Sequence, residues 1–315
     1  MKSVPKKAKL HPRNRHNQGY DFDHLITVEP ALNVFVSLTQ YGEKSIDFSD
    51  NKAVKTLNQA LLKAYYKVDF WDFPEHNLCP PVPGRADYIH YLADLLAADN
   101  QGAIPQGRQV KALDIGTGAN IIYPLLASHE YNWSMTGSDI DPAAVKLAKQ
   151  IVQFNNRKIT VKVQKQPEHI FQGIINAKDL FHLTLCNPPF HASEQEAKQG
   201  SDRKWRNLGK TPTTNLNFGG QNNELWCEGG EAQFITTMIT ESALFAEQCL
   251  WFTSLVSKKE TLVTLQNELA KHPVADVKII EMAQGQKVSR FIAWSYFDEA
   301  TRKEICQEFT PMETP

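Results

Sequence analysis

A strand that stops at a polar residue followed by two prolines is the most chemically suggestive stretch of the chain. The run 180–185 predicts a buried strand, and Asn187-Pro188-Pro189-Phe190 follows it. Neither proline has an N–H to donate, and the residue before each proline is pushed towards extended geometry, so the backbone here is stiff. We expect the Asn187 amide, fixed carbonyls and the Phe190 ring at the carboxyl edge of a sheet, where open α/β folds bind ligands.

This combination suits the methylation of an amino group on a planar, conjugated substrate. The Asn187 oxygen and the Pro188 carbonyl can both accept hydrogen bonds from the –NH2 and so orient its nitrogen. The Phe190 ring can stack on the substrate, a contact worth about 1–3 kcal/mol per base. Alignment of the two reacting groups then supplies the remaining catalysis. A stiff turn without function is the alternative interpretation of the same residues.

A glycine-containing turn earlier in the chain predicts a nucleoside site. Gly116 and Gly118 follow a strand and let the backbone pass close to a ligand. Asp139 ends the next predicted strand, 25 positions after Asp114, where a carboxylate can accept the ribose hydroxyls. Ile121 replaces the third glycine of a dinucleotide fingerprint. We therefore favour S-adenosylmethionine over a nicotinamide cofactor, with Asp114 suited to its ammonium group.

Composition narrows the class of protein. The chain has 315 residues, 42% of them hydrophobic, and a formal net charge of −1. No apolar run approaches the roughly 20 residues of a membrane span, and the basic start lacks the apolar core of a secretory signal. The 5 cysteines show no C-x-x-C spacing, and no histidine pair with a carboxylate set indicates a metal. We expect a cytoplasmic protein with reduced thiols, no metal and no membrane partner.

Two basic clusters predict contact with nucleic acid. The first 20 residues contain no acid and include Lys2, Lys6, Lys7, Lys9, Arg13 and Arg15. The second cluster surrounds Trp205 and comprises Lys198, Arg203, Lys204, Arg206 and Lys210. Basic residues interleaved with an aromatic side chain are typical of a nucleic-acid groove. A solvated tail and a soluble loop remain the alternative.

The order of predicted elements indicates an α/β fold. Helices are predicted at 30–38, 51–66 and 85–98. Beyond them, strands alternate with helices, at 110–115, 133–138, 159–163, 180–187, 250–256, 274–281 and 288–296. This order predicts a Rossmann-like, doubly wound, seven-stranded sheet whose last strand is antiparallel. We expect a basic arm and helical accessory module in 1–105, a catalytic domain in 106–298 with a substrate insertion at about 191–229, and a tail in 299–315.

The chain resembles the bacterial 23S ribosomal RNA adenine-N6 methyltransferases of the RlmF type, which share a fold with a eukaryotic U6 snRNA adenine-N6 methyltransferase. The resemblance covers most of the chain. The motifs that carry it are His11-Pro12-Arg13-Asn14-Arg15-His16, Arg85 with Tyr88-Ile89-His90, Asp114-Ile115-Gly116-Thr117-Gly118-Ala119, Asn187-Pro188-Pro189-Phe190, Glu228-Gly229-Gly230-Glu231, and Gln284-Gly285 ahead of Ala293-Trp294-Ser295.

The resemblance implies a class I methyltransferase that moves a methyl group from S-adenosylmethionine to N6 of adenine 1618 in 23S rRNA. Its RNA partner is free rRNA or an assembly intermediate of the large subunit. By motif matching, Arg85, Gly116 and Asp139 would contact the cofactor, and the expected cofactor set also includes Asp114, Thr117, Gly118 and Asn187. Residues 187–190 would hold the target base. The N-terminal basic segment would bind RNA, through Lys6, Lys7, Lys9, Arg13 and Arg15. The resemblance carries over no individual residue of the stretch between Phe190 and Glu228, so the RNA contacts expected at Arg203, Lys204 and Arg206 rest on the basic cluster alone. A contact between residues 166–168 and the cofactor has no secure register.

Three rival functions follow from the same residues. The Asn-Pro-Pro-aromatic chemistry also serves guanine N2 and the glutamine side chains of proteins, and the basic clusters argue only against protein. A catalytically idle fold that binds RNA is the second rival, and the intact Asn187-Pro188-Pro189-Phe190 argues against it. A nicotinamide enzyme is the third, and the glycine pattern disfavours it.

Overall fold

The computed structural model describes residues 10–75, 77–193, 195–196, 226–284 and 287–308. The predicted RNA contacts at Lys6, Lys7, Lys9, Arg203, Lys204 and Arg206 lie outside these residues. None of the helices in the described ranges is long and apolar enough to cross a membrane.

The N-terminal third is mainly helical, with one short hairpin. Its elements are a 3-10 turn (Arg15–Gln18), α1 (Phe22–Val28), a second 3-10 turn (Pro30–Phe35), β1 (Val36–Leu38), β2 (Lys44–Ile46), α2 (Asn51–Tyr66) and α3 (Val82–Asp99). The helix predicted at 30–38 is therefore wrong for its last three residues, which form β1. After β1 the chain turns back at Gly42, whose φ of 77° favours glycine, and β1 pairs with β2 antiparallel.

The two long N-terminal helices start at side-chain and proline signals. Asp50 caps α2 by accepting hydrogen bonds from the Lys52 and Ala53 N–H groups. The helix ends where Lys67 adopts a left-handed φ of 54°. Helix α3 begins at Val82, three positions before the predicted start at 85, because Pro83 is tolerated in a first turn whose N–H groups need no intrahelical partner.

The catalytic part is a seven-stranded sheet flanked by helices. Its strands are β3 (Lys111–Ile115), β4 (Ser134–Asp139), β5 (Thr160–Val163), β6 (Phe181–Cys186), β7 (Cys249–Val256), β8 (Asp276–Gln284) and β9 (Lys287–Ser295). The order across the sheet is β5-β4-β3-β6-β7-β9-β8. Strand β9 runs antiparallel to both of its neighbours, while β3 to β7 pair in parallel. The predicted fold class is confirmed.

Four of the five helices described in this part lie between strands of the sheet, and the fifth follows the last strand. The five are α4 (Ile122–Glu130), α5 (Pro142–Phe154), α6 (Gly230–Ser242), α7 (Thr261–Leu269) and α8 (Glu299–Glu308). The register of the strands places the ends of β3, β4 and β6 side by side. Ile115 of β3 lies opposite Ser138 of β4 and Cys186 of β6, so the next residues of all three strands emerge at one carboxyl edge.

The N-terminal helices share a hydrophobic core with the sheet. Buried residues of α2 and α3 belong to the same cluster as Ala112 of β3 and Leu183 of β6. Two buried polar contacts cross the same boundary. The Tyr88 hydroxyl lies 2.7 Å from Thr253 Oγ1 of β7, and the Trp71 indole N–H donates to the Asn120 carbonyl at 2.7 Å. The helical region is thus packed directly behind the edge where the strands end.

Residues 299–308, where a tail is expected, form helix α8, which is anchored by a buried arginine. Arg302 is 0% exposed and stacks on the Trp251 ring at 4.2 Å. Its Nε donates to Asp99 at the end of α3 at 3.0 Å, and its Nη2 donates to Asp276 of β8 at 2.7 Å. One guanidinium therefore joins the last helix to α3 and to the sheet.

We expect Arg302→Leu to lower the free energy of unfolding by about 3–5 kcal/mol, because Asp99 would stay buried without its cation. Urea unfolding followed by circular dichroism measures the change. Lys303→Ala is the matched control, since Lys303 pairs with Glu299 on the surface and its loss should leave stability nearly unchanged. Equal stability of the two variants would contradict an anchoring role for Arg302.

Candidate active site

A cavity of about 240 Å³ lies at the carboxyl ends of β3, β4 and β6. Of the residues predicted to form the site, Arg85, Gly116, Thr117, Gly118, Asp139, Asn187, Pro188 and Pro189 line it. Asp114 and Phe190 are not among its lining residues. The structure therefore brings the predicted cofactor loop and most of the Asn-Pro-Pro-Phe motif together around one space.

The loop after β3 depends on three glycines. Gly116 and Gly118 have positive φ angles of 68° and 64°, which other residues rarely adopt. Gly137 of β4 allows Thr117 to pack close, since a Cβ there would lie 2.8 Å from Thr117 Oγ1. The Thr117 N–H donates to the Ser138 carbonyl at 2.9 Å. The loop is thereby fixed against β4 with Gly116 open to the cavity.

Asp139 faces the cavity with its carboxylate partly occupied by backbone donors. Oδ2 accepts from the Gly118 N–H and Oδ1 accepts from the Asp141 N–H, both at 2.9 Å. Burial raises the pKa of Asp139, and these backbone hydrogen bonds oppose the rise. Each oxygen retains a further lone pair, so the carboxylate can still accept hydrogen bonds from a diol.

Asp114 lies beneath the loop, where it is 1% exposed. Its Oδ2 accepts a hydrogen bond from Thr117 Oγ1 at 2.7 Å, which turns the carboxyl group away from the cavity wall. Its Oδ1 has no hydrogen-bond partner among the described residues. Burial, reinforced by the nearby Asp139 carboxylate, raises the pKa of Asp114 to about 8, and the Thr117 hydrogen bond opposes this rise.

Asn187 is connected to the cofactor side of the cavity through Arg85. Arg85 Nη1 donates to Asn187 Oδ1 at 3.2 Å and to the Tyr123 hydroxyl at 2.8 Å. Arg85 extends from α3, Tyr123 from α4, and Asn187 follows β6. Three separate elements therefore set the orientation of one amide.

One unpartnered polar atom indicates what the cavity can hold. The buried Nε of Arg85, a residue that lines the cavity, lacks a hydrogen-bond partner among the described residues. A buried donor on a cation is costly when it is unpaired. This donor fits the carboxylate of an amino-acid group. Asp139 fits a ribose, so the residues present suit a ligand with both parts.

The cavity has walls that the sequence did not predict. Trp226, Cys227 and Phe234 close one side; the first two lie at the end of the predicted insertion, and Phe234 follows it. Trp226 pairs with His191 in an isolated bridge, which holds the indole beside the end of the Asn-Pro-Pro-Phe motif. Gln164, Pro167 and His169 form another wall, in the region whose register was insecure. No sequence pattern marks these side chains, because only long-range folding brings them here.

Helix α6 fixes two loops near the cavity with buried carboxylates. Glu241 accepts hydrogen bonds from the backbone N–H groups of Ile170, Phe171 and Gln172, at 2.6–3.0 Å. Glu231 accepts from the Ser257 N–H and the Thr261 hydroxyl at the start of α7. Gly230 has a φ of 66°, and a Cβ there would lie 3.1 Å from the Ala192 nitrogen. The acidic, glycine-rich motif is thus explained by packing.

The comparisons with known proteins assign this fold and site to a family. A family model described as RNA methyltransferase matches residues 4–298. The chain belongs to this family. It is 70% identical over 308 residues to the ribosomal RNA large subunit methyltransferase F of Pseudoalteromonas translucida, covering 98% of this chain and 99% of the relative. The protein of that name from Pseudomonas savastanoi is 54% identical over 302 residues, which cover 94% of this chain and 92% of the relative.

Solved structures of human METTL16 share the fold of this RNA methyltransferase. The catalytic domain in complex with MAT2A 3′UTR hairpin 1 has a TM-score of 0.78 at 31% identity, covering 92% of this chain and 96% of that one. The N-terminal domain of human METTL16 in complex with SAH has a TM-score of 0.72 at 27% identity, covering 92% of this chain and 100% of that one. The predicted family resemblance and methyltransferase activity are confirmed.

The basic residues of the N-terminal arm that the structure describes are held in ion pairs. Arg13 Nη2 lies 2.7 Å from Asp94 Oδ1, and Arg15 Nε lies 2.7 Å from Glu130 Oε1. His11, Asn14 and His16 are buried beside them. Residues 10–18 therefore pack on α3 and α4 of the RNA methyltransferase.

We expect Asp114→Asn to gain stability relative to the native protein as the pH rises. An unfolded carboxyl ionises near pH 4, whereas folded Asp114 keeps its proton up to about pH 8, so the native free energy of unfolding falls between these values. Asparagine does not titrate, so the variant lacks this contribution to the pH dependence of the free energy of unfolding. Melting temperatures of both proteins from pH 5 to pH 9 should diverge up to about pH 8 and then run parallel. A constant difference across the range would contradict the raised pKa.

Proposed function

We propose that this RNA methyltransferase transfers a methyl group from S-adenosylmethionine to N6 of an adenine in 23S ribosomal RNA, in the cytosol. The position that corresponds to adenine 1618 is the proposed target. The observation that carries the proposal is the Arg85–Asn187 hydrogen bond, since it links a nucleoside-binding loop to an amide placed for an exocyclic amino group. The rRNA named in the descriptions of the bacterial relatives supports this substrate.

The cofactor contacts are assigned from the cavity. S-adenosylmethionine supplies an electrophilic methyl group when it is bound. Asp139 accepts the ribose hydroxyls, and Gly116 lets the backbone approach the ligand without a side chain in the way. Arg85 Nε donates to the carboxylate of the amino-acid end, which satisfies this unpartnered atom. The human structure described as a complex with SAH supports a cofactor of this class.

The target adenine is held by the rigid residues after β6. Base-modifying enzymes take their target out of the stack, at a cost of a few kcal/mol. Asn187 Oδ1 keeps one lone pair beyond the Arg85 hydrogen bond, and with the Pro188 carbonyl it accepts both hydrogens of N6. Trp226 offers a ring that lines the cavity, and Phe190, which follows the lining residue Pro189 in the chain, is proposed to stack on the base. No strong base is needed first, because the ammonium formed by transfer is acidic and loses its proton afterwards.

The RNA contacts combine anchoring and phosphate binding. Arg13 and Arg15 hold the arm on α3 and α4 through their ion pairs. We propose that Lys6, Lys7, Lys9, Arg203, Lys204 and Arg206 bind phosphates of the RNA. We propose residues 1–105 as the RNA-binding module, joined to a catalytic domain in 106–298.

We expect Asn187→Ala to lower the turnover number by about 100-fold or more, because N6 loses one of the two acceptors that align it. The equilibrium binding of S-adenosylmethionine should change little, since the glycine loop and Asp139 are intact. Single-turnover methyl transfer and isothermal titration calorimetry measure the two quantities. Asn33→Ala, at an exposed asparagine outside the cavity, should leave both unchanged. A near-normal rate for Asn187→Ala would refute the proposed role.

The substrate is tested by methyl transfer from labelled S-adenosylmethionine to total rRNA from cells that lack this protein. We expect the label in N6-methyladenosine of 23S rRNA only, as shown by nucleoside analysis. Label in N2-methylguanosine would support methylation of an amino group but contradict adenine as the target base. Absence of label on free rRNA, with label on isolated precursors of the large subunit, would identify an assembly intermediate as the substrate.

A further inference from the structure

A second cavity of about 280 Å³ lies between α2 and the link that leads to α3. Its walls include Lys52, Lys55 and Gln59 of α2, and Phe73 and Asn77 of the link. None of these residues belongs to the cofactor cavity, and no motif of the sequence points to them. The proposed function assigns this space no role.

Asn77 is the unexplained feature of this cavity. Its side chain is buried, with 1% of the residue exposed, and it lines the cavity. Neither its Oδ1 nor its Nδ2 has a hydrogen-bond partner among the described residues. Leaving both ends of an amide buried and unpaired destabilises the free protein. The two atoms together present one donor beside one acceptor, the pattern that matches the edge of a nucleobase.

The remaining walls favour an uncharged, planar ligand. Lys55 pairs with Asp72, and Lys52 lies 3.7 Å from Glu75, so the two cations are matched by two acids. A free anion therefore has no excess positive charge to bind. The ring of Phe73 forms part of the wall, with the Lys55 ammonium 4.7 Å from its centroid.

The segment 77–80 lies between the two cavities. Asn77 and Cys79 line the second cavity, whereas Leu78 and Pro80 line the cofactor cavity. Successive side chains of one extended segment thus point to opposite sides. Asn58 of α2 holds this segment, since its Nδ2 donates to the Pro80 carbonyl at 3.0 Å and its Oδ1 accepts from the Val82 N–H at 3.3 Å. Only a single thickness of chain separates the two spaces.

We propose that the second cavity binds a nucleobase of the substrate RNA other than the target adenine, with its hydrogen-bonding edge on Asn77. This inference rests on the proposed function and extends it with a second base-reading site. A base seated there satisfies both ends of the Asn77 amide and supports the wall formed by Leu78 and Pro80. The enzyme thereby selects RNA in which a second unpaired base lies within reach of the target.

The test uses Asn77→Leu in the full-length protein, which keeps the size of the side chain and removes both polar atoms. A structural role for Asn77 predicts a loss of stability. A ligand-binding role predicts an equal or higher melting temperature in the free protein, together with RNA binding weakened by about tenfold. Fluorescence anisotropy with an RNA hairpin copied from the 23S sequence around the target measures the affinity. Asn33→Leu is the control and should bind RNA normally.

Replacing each nucleotide of the hairpin in turn by an abasic unit locates the bound base. With the native protein, we expect one position other than the target adenine to weaken binding by about tenfold, and with Asn77→Leu that loss should disappear. Normal RNA affinity of Asn77→Leu, or the absence of any position that couples to it, would overturn the inference. The native protein's methylation of the intact hairpin tests the proposed function separately, so either can fail alone.

Discussion

The two hydrogen bonds from Arg85 Nη1 are the interaction on which the site depends. This single nitrogen contacts Tyr123 of α4 and Asn187 after β6, while its own backbone belongs to α3. The catalytic amide is therefore positioned by the N-terminal helices as well as by the sheet. The shared core behind α3 fixes the position of Arg85 relative to the sheet, because Tyr88, one turn along the same helix, is hydrogen-bonded to Thr253 of β7. A separate, loosely attached module would leave the amide free to rotate.

Local sequence signals were sufficient for the parts of the fold that depend on short-range chemistry. The bounds predicted for α2 were those observed, because Asp50 caps its start and apolar residues recur on one side. The turn at Gly116 and the proline-stiffened end of β6 were also placed correctly, since glycine and proline restrict the backbone directly. These residues line the cavity, and so the sequence indicated where the cavity lies.

Features that depend on distant partners were not accessible to the same reasoning. Helix α8 has little apolar periodicity, and its position is set by Arg302 contacting carboxylates far away in the chain. The role of Glu231 was open until its contacts with Ser257 and Thr261 were known. No sequence pattern marks Asn77, because its lack of hydrogen-bond partners among the described residues is a property of the folded structure alone.

Ile121 makes the stability of the predicted cofactor loop depend on the hydrophobic core. It stands where a dinucleotide fold has its third glycine, with a left-handed φ of 46° that a β-branched residue rarely adopts. Such strain costs about 1–3 kcal/mol, and burial of the side chain returns a similar amount. Since Ile121 is fully buried in the core that includes the N-terminal helices, the turn is stable only once that core has formed. The stability of the loop is therefore coupled to the core that the N-terminal helices complete, and a substitution that loosens this core also destabilises the loop.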